Sequence, residues 1–482
     1  MNGFGFKLAE HTFLRTDDRG SFLISRLPVR MLRVNESLFR LLQYIRDGAG
    51  LDEFAAENPG LDTGSLLYTL LSLTARGYLR LDGIAVMRDC PFVSIIVPVR
   101  DQPGELGGCL EALAQLDYPP DRREIIVVDD GSRKEVSGVI TSSDVRIIRK
   151  DAPEGPAAGR NTGAEYARGG ILAFLDADCV AGEGWLRETV PFFRAAGVGA
   201  LGGYVAGYYR EGTLDRYEEV ASSLNLGRRL ILEGKSASSF YVPTANLMVT
   251  RDAFAAAGGF RAGMHIGEDV DFCWRLREMG HALLYVPYGS VAHRHRGSLG
   301  RMLARRAAYG TSEAPLYQAH PKIKKTFPAA FGAGLAFLAL SLAVLLPSLY
   351  PLLALLPLVA IDLWGKHATL ARFRMELALA PLLYATLRSY LSLFYSAGFH
   401  LVRYYLILIV GLGFLWQPCW YYAGIILVYA SIVDACVKGP RLAYPFFLGY
   451  YLLEHLAYQI GVFWGCLRQM YFGSYLVSFK RA

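Results

Sequence analysis

The sequence predicts an α/β domain built on a doubly covered parallel sheet, preceded by a small α+β domain and followed by a helical membrane region. Three observations predict it. Short Ile- and Val-rich runs alternate with helical segments between about residues 90 and 320. Acidic residues recur where those runs end, in Pro98-Val99-Arg100-Asp101, Asp129-Asp130-Gly131-Ser132 and Asp176-Ala177-Asp178, the edge at which open α/β sheets bind ligands. Finally, Phe327–Leu346 is 20 residues without a charge, matching the ~20 needed to cross a bilayer as a helix. A chain of 482 residues is also too long for one ordinary domain.

Residues 1–88 form the first expected domain. Strand-like runs near Thr12–Leu14 and Phe22–Ile24 flank the turn Asp17-Asp18-Arg19-Gly20. Asn35 suits the cap of a helix whose Leu38, Leu41, Leu42 and Ile45 follow helical spacing. A second helix from Thr63 places Leu66, Leu67, Leu70, Leu71 and Leu73 largely on one side, and Gly77 stops it before the strand Tyr78–Leu81. This pattern resembles the winged-helix-like domains that hold precursor peptides in cofactor biosynthesis, such as the pyrroloquinoline-quinone peptide chaperone. A plain packing domain or linker is the competing account.

The second domain, residues 90–320, carries the strands Phe92–Val97, Glu124–Val128, Val145–Ile148 and Ile171–Leu175, with helices near Leu106–Ala114 and Ala157–Ala167. Strands apolar on both faces and joined by helices argue for a parallel sheet. The third region, 321–482, opens on a transmembrane hairpin at about 327–363: the uncharged run, the turn Pro347-Ser348-Leu349-Tyr350-Pro351, then a second run to Ile361. Lys322, Lys324 and Lys325 precede it, and Lys366, Arg372 and Arg374 follow. Basic residues at both outer ends place them in the cytoplasm, so an inner (cytoplasmic) membrane location is expected, with the second domain facing the cytoplasm. A shorter hairpin is possible at Tyr404–Trp416 and Cys419–Val433. Leu377–Ser396, with Arg388, and Tyr444–Phe479, with Glu454, His455 and Arg468, read as amphipathic segments at the interface.

Composition supports this division. The apolar content is 53% and the mean hydropathy positive. The net charge of +7 is unevenly spread: residues 322–482 hold 13 Lys/Arg against 4 Asp/Glu, leaving 37 basic and 39 acidic residues before them. The basic excess therefore flanks membrane segments and is not a nucleic-acid patch. The seven cysteines show no CxxC pair, so neither a disulfide framework nor a zinc site is indicated. Met1–Gly5 opens with no charged leader before a long apolar core, so no secretory signal is read.

Several segments carry chemistry. Asp176 and Asp178 project to one face if extended, and a hard Mg²⁺ or Mn²⁺ ion prefers such oxygen ligands. Glu154–Gly163 is rich in Gly but lacks the Gly-Lys-Ser/Thr of a P-loop, so an ATPase is excluded. Gly267-Glu268-Asp269-Val270-Asp271 opens a helix, where acidic residues are favourable in any case. Asp271 and Arg275, four apart, suit an ordinary helical pair.

Together, the Pro98 strand, Asp129-Asp130, Asp176-Ala177-Asp178 and Glu268-Asp269 resemble, in this order, the family-2 glycosyltransferases, enzymes of the GT-A fold. The resemblance spans roughly residues 92–310. It implies that Pro98 and Arg100 wall the nucleobase of a nucleotide-sugar, UDP-linked by expectation, and that Asp130 meets the base's hydrogen-bonding edge. It gives Arg160 a donor contact, with simple helix initiation as the competing account. Asp178 becomes a direct metal ligand, with Asp176 at the ribose or acting through water. His293, favoured over His295, becomes the third ligand, with a basic surface cluster that contacts phosphate or lipid as the alternative. Asp269 is the implied general base for a single inverting displacement, with Glu268 orienting it or the acceptor. Pro243–Asn246 and Gly258-Gly259-Phe260 fall in the acceptor-side segment.

The order of a small peptide-binding-like domain, a GT-A domain and a membrane tail resembles the mycofactocin-system glycosyltransferases. That family decorates a peptide-derived redox cofactor with β-1,4-linked glucose. No Gln-x-x-Arg-Trp segment follows Asp269, which counts against a processive, extruding synthase. A transferase acting on a lipid carrier or surface polysaccharide, and an inactive membrane-tethered peptide-binding scaffold, are the two other readings.

Overall fold

The computed structural model describes residues 3–48, 50–133, 136–139, 144–234, 238–295, 297–329, 331–372 and 378–481. The chain divides into two units, one of residues 1–23 and 33–295, the other of residues 24–32 and 296–482.

The N-terminal part contains β1 (Gly5–Leu8), β2 (Thr12–Asp17), β3 (Gly20–Arg26), β4 (Val29–Val34), α1 (Glu36–Arg46), α2 (Leu51–Glu57), α3 (Thr63–Ala75) and β5 (Leu79–Gly83). Strand β1 pairs antiparallel with β5, and β2, β3 and β4 form their own sheet in that order. The Asn35 side chain caps α1 by accepting from Leu38 N at 2.9 Å, which satisfies one of the helix's free N–H groups. Leu67, Leu70, Leu71 and Leu73 of α3 are buried. This part docks on the α/β region that follows: Phe4 packs 5.1 Å from Phe192 between ring centroids, Arg194 pairs with Asp52 at 2.9 Å, and Ala196 N donates to Gly64 O.

The α/β region begins with β6 (Val93–Val99), α4 (Pro103–Ala114), β7 (Arg123–Asp129), β8 (Val145–Arg149), α5 (Pro156–Tyr166) and β9 (Ile171–Phe174). It continues through β10 (Cys179–Ala181), α6 (Trp185–Thr189), β11 (Val198–Gly202), β12 (Val205–Gly207), α7 (Thr213–Ala221) and β13 (Ile231–Glu233). It ends with β14 (Leu247–Thr250), α8 (Arg251–Ala256), α9 (Glu268–Glu278), β15 (Ala282–Tyr285) and β16 (Val291–His293). Eight strands form the main sheet in the order β13-β15-β11-β14-β9-β6-β7-β8.

The sheet has the expected parallel part and antiparallel strands added to it. Strands β8, β7, β6 and β9 are parallel, but β14 runs antiparallel to both β9 and β11, and β13 antiparallel to β15. Leu247, Met248 and Val249 are all fully buried, so β14 has the same two-faced apolar pattern as its parallel neighbours, and nothing local encodes its direction. Alternation along β6 sends Val93, Ile95, Val97 and Val99 into a core with Leu106, Cys109 and Leu113 of α4. Ile96 enters the opposite core with Ala157 and Ala164 of α5 and with Phe272 of α9. Both faces are thus covered. A small sheet, β10-β16-β12, stands apart from the main one.

The second unit contains α10 (Leu299–Thr311), α11 (Glu313–Ala319), β17 (Lys325–Ala329), α12 (Phe331–Leu345), α13 (Leu355–Arg372), α14 (Leu379–Leu412), α15 (Pro418–Lys438), α16 (Tyr444–Gln469) and β18 (Val477–Arg481). The helical part of the uncharged run is shorter than the run itself: its first residues join β17, paired in parallel with β18, and α12 holds 15 residues. The expectation of two segments, Leu377–Ser396 and Tyr404–Trp416, is corrected: Leu379–Leu412 is a single 34-residue helix. Among the described residues, Tyr350–Arg372, Leu379–Leu412 and Pro418–Lys438 are long and apolar enough to cross a membrane. Helix α16 instead meets α10 at backbone contact. A Cβ on Gly461 would lie 1.9 Å from Ala307 O, and one on Gly465 2.5 Å from Thr311 O.

Candidate active site

The site forms where β6, β7 and β9 end. At the first of these, Pro98 packs against Gly159 of α5, and Arg100 lies half exposed beside Asp101, 3.9 Å away. The ends of β6 and β7 are tied together: Asp101 N donates to Ser132 Oγ, and Arg133 N to Asp101 Oδ1. Asp129 is a structural residue. It is buried, accepts from Ser132 N and pairs with Arg149 at 2.6 Å. Between them Gly131 takes a φ of +64°, and a Cβ there would meet Pro153 N at 2.8 Å, so the turn requires glycine.

Asp130 is buried, and its two oxygens accept from Glu154 N at 2.9 Å and Gly155 N at 2.8 Å. It thereby fixes the start of α5, the helix that carries Arg160. Arg160 is only 3% exposed. Its guanidinium donates to Asp176 Oδ1 at 2.6 Å and to Glu268 Oε1 at 2.9 Å, and lies over the Phe260 ring. One side chain therefore joins the end of β9 to the first turn of α9, where Glu268 lies 108 residues beyond Arg160. The sequence suggests a donor contact for Arg160; the structure shows its guanidinium occupied by these two carboxylates. The adjacent Asn161 exchanges two hydrogen bonds with the backbone of Phe260, so α5 also holds the Gly258-Gly259-Phe260 segment.

Asp269 follows Gly267 and Glu268 in the first turn of α9, with Oδ1 accepting from Val270 N at 2.8 Å. Burial, then the neighbouring Glu268 charge, push its carboxyl up to about 7, while the Val270 N–H and Arg160 oppose the rise. Asp271 takes no part: it is fully buried and paired with Arg275 at 2.8 Å and Arg261 at 3.3 Å. Within the acceptor-side segment, Asn246 is also buried and structural, accepting from Trp185 Nε1 and donating to Tyr204 O and Gly289 O.

Asp178 and His293 meet with Oδ2 and Nε2 3.5 Å apart, brought together by the antiparallel β10–β16 pairing of Cys179 with His293. Burial alone would raise the Asp178 carboxyl, but the His293 hydrogen bond and charge hold it below the usual range. Burial would lower the His293 imidazole, and Asp178 raises it instead. His295 is elsewhere, buried and paired with Asp215 at 3.1 Å. Among the described residues no group of three or more His, Cys, Asp or Glu side chains is set to hold a metal. The Asp178–His293 pair nevertheless fits a divalent ion: adjacent ligands of an octahedral ion at ~2.1 Å lie ~3 Å apart, close to the observed separation. Arg294, read from the sequence as part of a basic cluster, lies over the Tyr208 ring, its Cζ 4.9 Å from the ring centre.

Comparison with known proteins agrees with this geometry. Residues 94–256 match the model of glycosyl transferase family 2. The chain is 31% identical to the pre-mycofactocin glycosyltransferase of Mycobacterium tuberculosis (strains CDC 1551 and H37Rv) over 487 aligned residues, covering 98% of this chain and 97% of that one. Glycosyltransferase AglE of Haloferax volcanii is 32% identical over 202 residues, covering 40% of this chain and 64% of its own. A solved mannosyltransferase, PcManGT from Pyrobaculum calidifontis in complex with GDP-Man and Mn²⁺, aligns at 19% identity over 80% of this chain and 98% of its own, with a TM-score of 0.40; that likeness carries no argument here. The end-to-end match does: the chain is a GT-A glycosyltransferase of family 2 and belongs to the same family as the pre-mycofactocin glycosyltransferase.

Proposed function

We propose that the protein is an inverting, metal-dependent glycosyltransferase that moves a hexose, with glucose the first candidate, from a UDP-sugar to a peptide-derived redox cofactor. The observation that carries the acceptor is the colinear match to the mycobacterial protein along 98% of the chain, first domain included. That domain is docked on the catalytic one through Phe4 and Asp52, and it presents the peptide-derived acceptor. The apolar helices hold the enzyme at the cytoplasmic face of the inner membrane, against lipid.

In this reading Pro98, Arg100 and Asp130 border the nucleoside. Asp178 and His293 hold Mg²⁺ or Mn²⁺, which when bound acts as a Lewis acid on the departing diphosphate. Asp269 takes the proton of the acceptor hydroxyl as its oxygen bonds to the anomeric carbon, and the nucleotide leaves from the opposite face with the electrons of the broken C–O bond. A base titrating near 7 is matched to neutral pH. Arg160 holds Glu268 in place behind it. The test uses the detergent-purified chain, Mn²⁺ and UDP-glucose, with the peptide-derived redox cofactor in one reaction and a polyprenyl phosphate in another. A hexose-bearing cofactor is expected; sugar found only on the lipid would move the acceptor to the lipid-carrier class.

A further inference from the structure

The first domain meets the sheet at the edge away from the site. Its helix α3 makes two contacts there: Gly64 O accepts from Ala196 N at 3.0 Å, just before β11 starts, and a Cβ on Gly234, just past the end of β13, would lie 3.3 Å from Tyr68 Oη. Val198 pairs with Ala282 and Glu233 with Leu283, so both contacts stand where β11 and β15 begin. The catalytic carboxylates stand where strands end: Asp176 follows β9, whose Phe174 is in register with Leu247 and through it with Gly202, the last residue of β11. Two pieces of chain span the distance. Helix α9 runs from Glu268 and Asp269 to Glu278, shortly before β15. Ser238–Asn246 climbs back beside it. Arg277, in the last turn of α9 and only 1% exposed, donates through Nε to Gly234 O at 3.2 Å, and through Nη1 to Ser238 O at 2.7 Å and Phe240 O at 3.0 Å. One turn nearer the site, Cys273 Sγ donates to Val242 O at 3.6 Å. Phe240 and Tyr241 pack into the same core as Phe272 of α9.

We propose that Arg277 is a positioning residue for transfer: it fixes Ser238–Phe240 on α9, so holding the acceptor-side segment Pro243–Asn246 in register with Asp269, and it ties both to the first domain's contact at Gly234. This rests on the proposed function, because it needs an acceptor brought by the first domain. A guanidinium suits the task, since its planar fork presents several N–H donors in fixed directions. Three carbonyls meet one side chain, and leaving them unpaired in a buried place is costly, so the segment and α9 move as one body. A displacement at Gly234 therefore reaches Asp269 along a single helix. Arg277 lies at the opposite end of α9 from Asp269, so its effect is on the placement of the acceptor and not on proton transfer itself.

The test uses the full chain in detergent with Mn²⁺ and UDP-glucose, as wild type, Arg277→Gln, Arg277→Lys and Tyr68→Leu. It reads acceptor-free hydrolysis of UDP-glucose, transfer to the peptide-derived redox cofactor, and amide hydrogen exchange over Ser238–Asn246. Arg277→Gln should lower kcat for transfer about tenfold or more, the usual scale for lost hydrogen bonds from a charged group, while hydrolysis and the KM for UDP-glucose change by less than about twofold. Exchange over the segment should rise. Arg277→Lys, with a point charge in place of the fork, should fall between, and Tyr68→Leu should weaken transfer and leave hydrolysis alone. Equal losses of transfer and hydrolysis, the mark of a merely structural arginine, would overturn the inference, as would no loss. Should Arg277→Gln fail to fold, wild-type transfer by Arg277→Lys would overturn it equally. Wild-type protein that hydrolyses UDP-glucose but leaves the cofactor unmodified would instead refute the proposed acceptor; unchanged exchange in the Arg277 variants would then still overturn the inference.

Discussion

Replacing Arg160 by Met tests whether one buried guanidinium organises both halves of the site. Its two bonds, at 2.6 and 2.9 Å, hold an Asp176 side chain that is 30% exposed and a Glu268 side chain that is 10% exposed. Breaking a buried ion pair by removing one partner costs about 3–5 kcal/mol. Water still reaches Asp176, so we expect the lower end, about 3 kcal/mol of stability. The second effect is on the base. Arg160 is one of the influences that hold Asp269 down against burial and Glu268, so without it the acid limb of kcat/KM moves above pH 7. Asp269 acts only when deprotonated, so below that limb each unit of movement removes about tenfold of the active form. The assay is a pH–rate profile beside denaturant unfolding, with Arg160→Lys as control. Lysine keeps the charge but not the planar fork, so it should lie between wild type and Met. A profile superimposable on wild type, with an unchanged unfolding midpoint, would refute the reasoning.

Three further outcomes are expected. Asp178→Ala should abolish the Mn²⁺ dependence of nucleotide binding and chelator should silence wild type, with a smaller loss for His293→Ala; activity that persists in chelator would remove the metal from the mechanism. Gly461→Val would drive side-chain carbon into Ala307 O, so it should separate α16 from α10 at a cost of about 1–3 kcal/mol; unchanged thermal stability in detergent would contradict that packing. Accessibility tags between Pro347 and Pro351, in the turn between α12 and α13, should react only from the non-cytoplasmic side; labelling from the cytoplasm would reverse the assigned orientation.

What the sequence made legible was local. Asn35 reads as a cap and caps α1; Asp271 and Arg275 read as a helical pair and form one. The Ile- and Val-rich runs became β6 to β9; in β6, β7 and β9 burial on two faces leaves a continuous apolar signature. What escaped depends on partners distant in sequence. The strand direction of β14 is set by its neighbours. β17 borrows residues from an apolar run because β18, about 150 residues later, supplies its ladder. Arg388, exposed on α14, made Leu377–Ser396 read as an amphipathic segment, yet one charge does not break a helix. At the site, Arg160 was visible as an arginine at a helix start, but its engagement with Asp176 and Glu268 was not. Asp178 and His293 were named separately and meet only through the β10–β16 pairing.

The central claim is that Asp269 is the base of a single inverting displacement. It is tested by the anomeric configuration of the product, read by proton NMR from wild type and from Asp269→Asn, a change that keeps shape and removes the base. The account predicts a β-linked hexose from the α-linked UDP donor with wild type, and a rate lower by about 10²–10⁴ with Asp269→Asn while nucleotide binding persists. An α-linked product, or an Asp269→Asn rate within a few-fold of wild type, would contradict it.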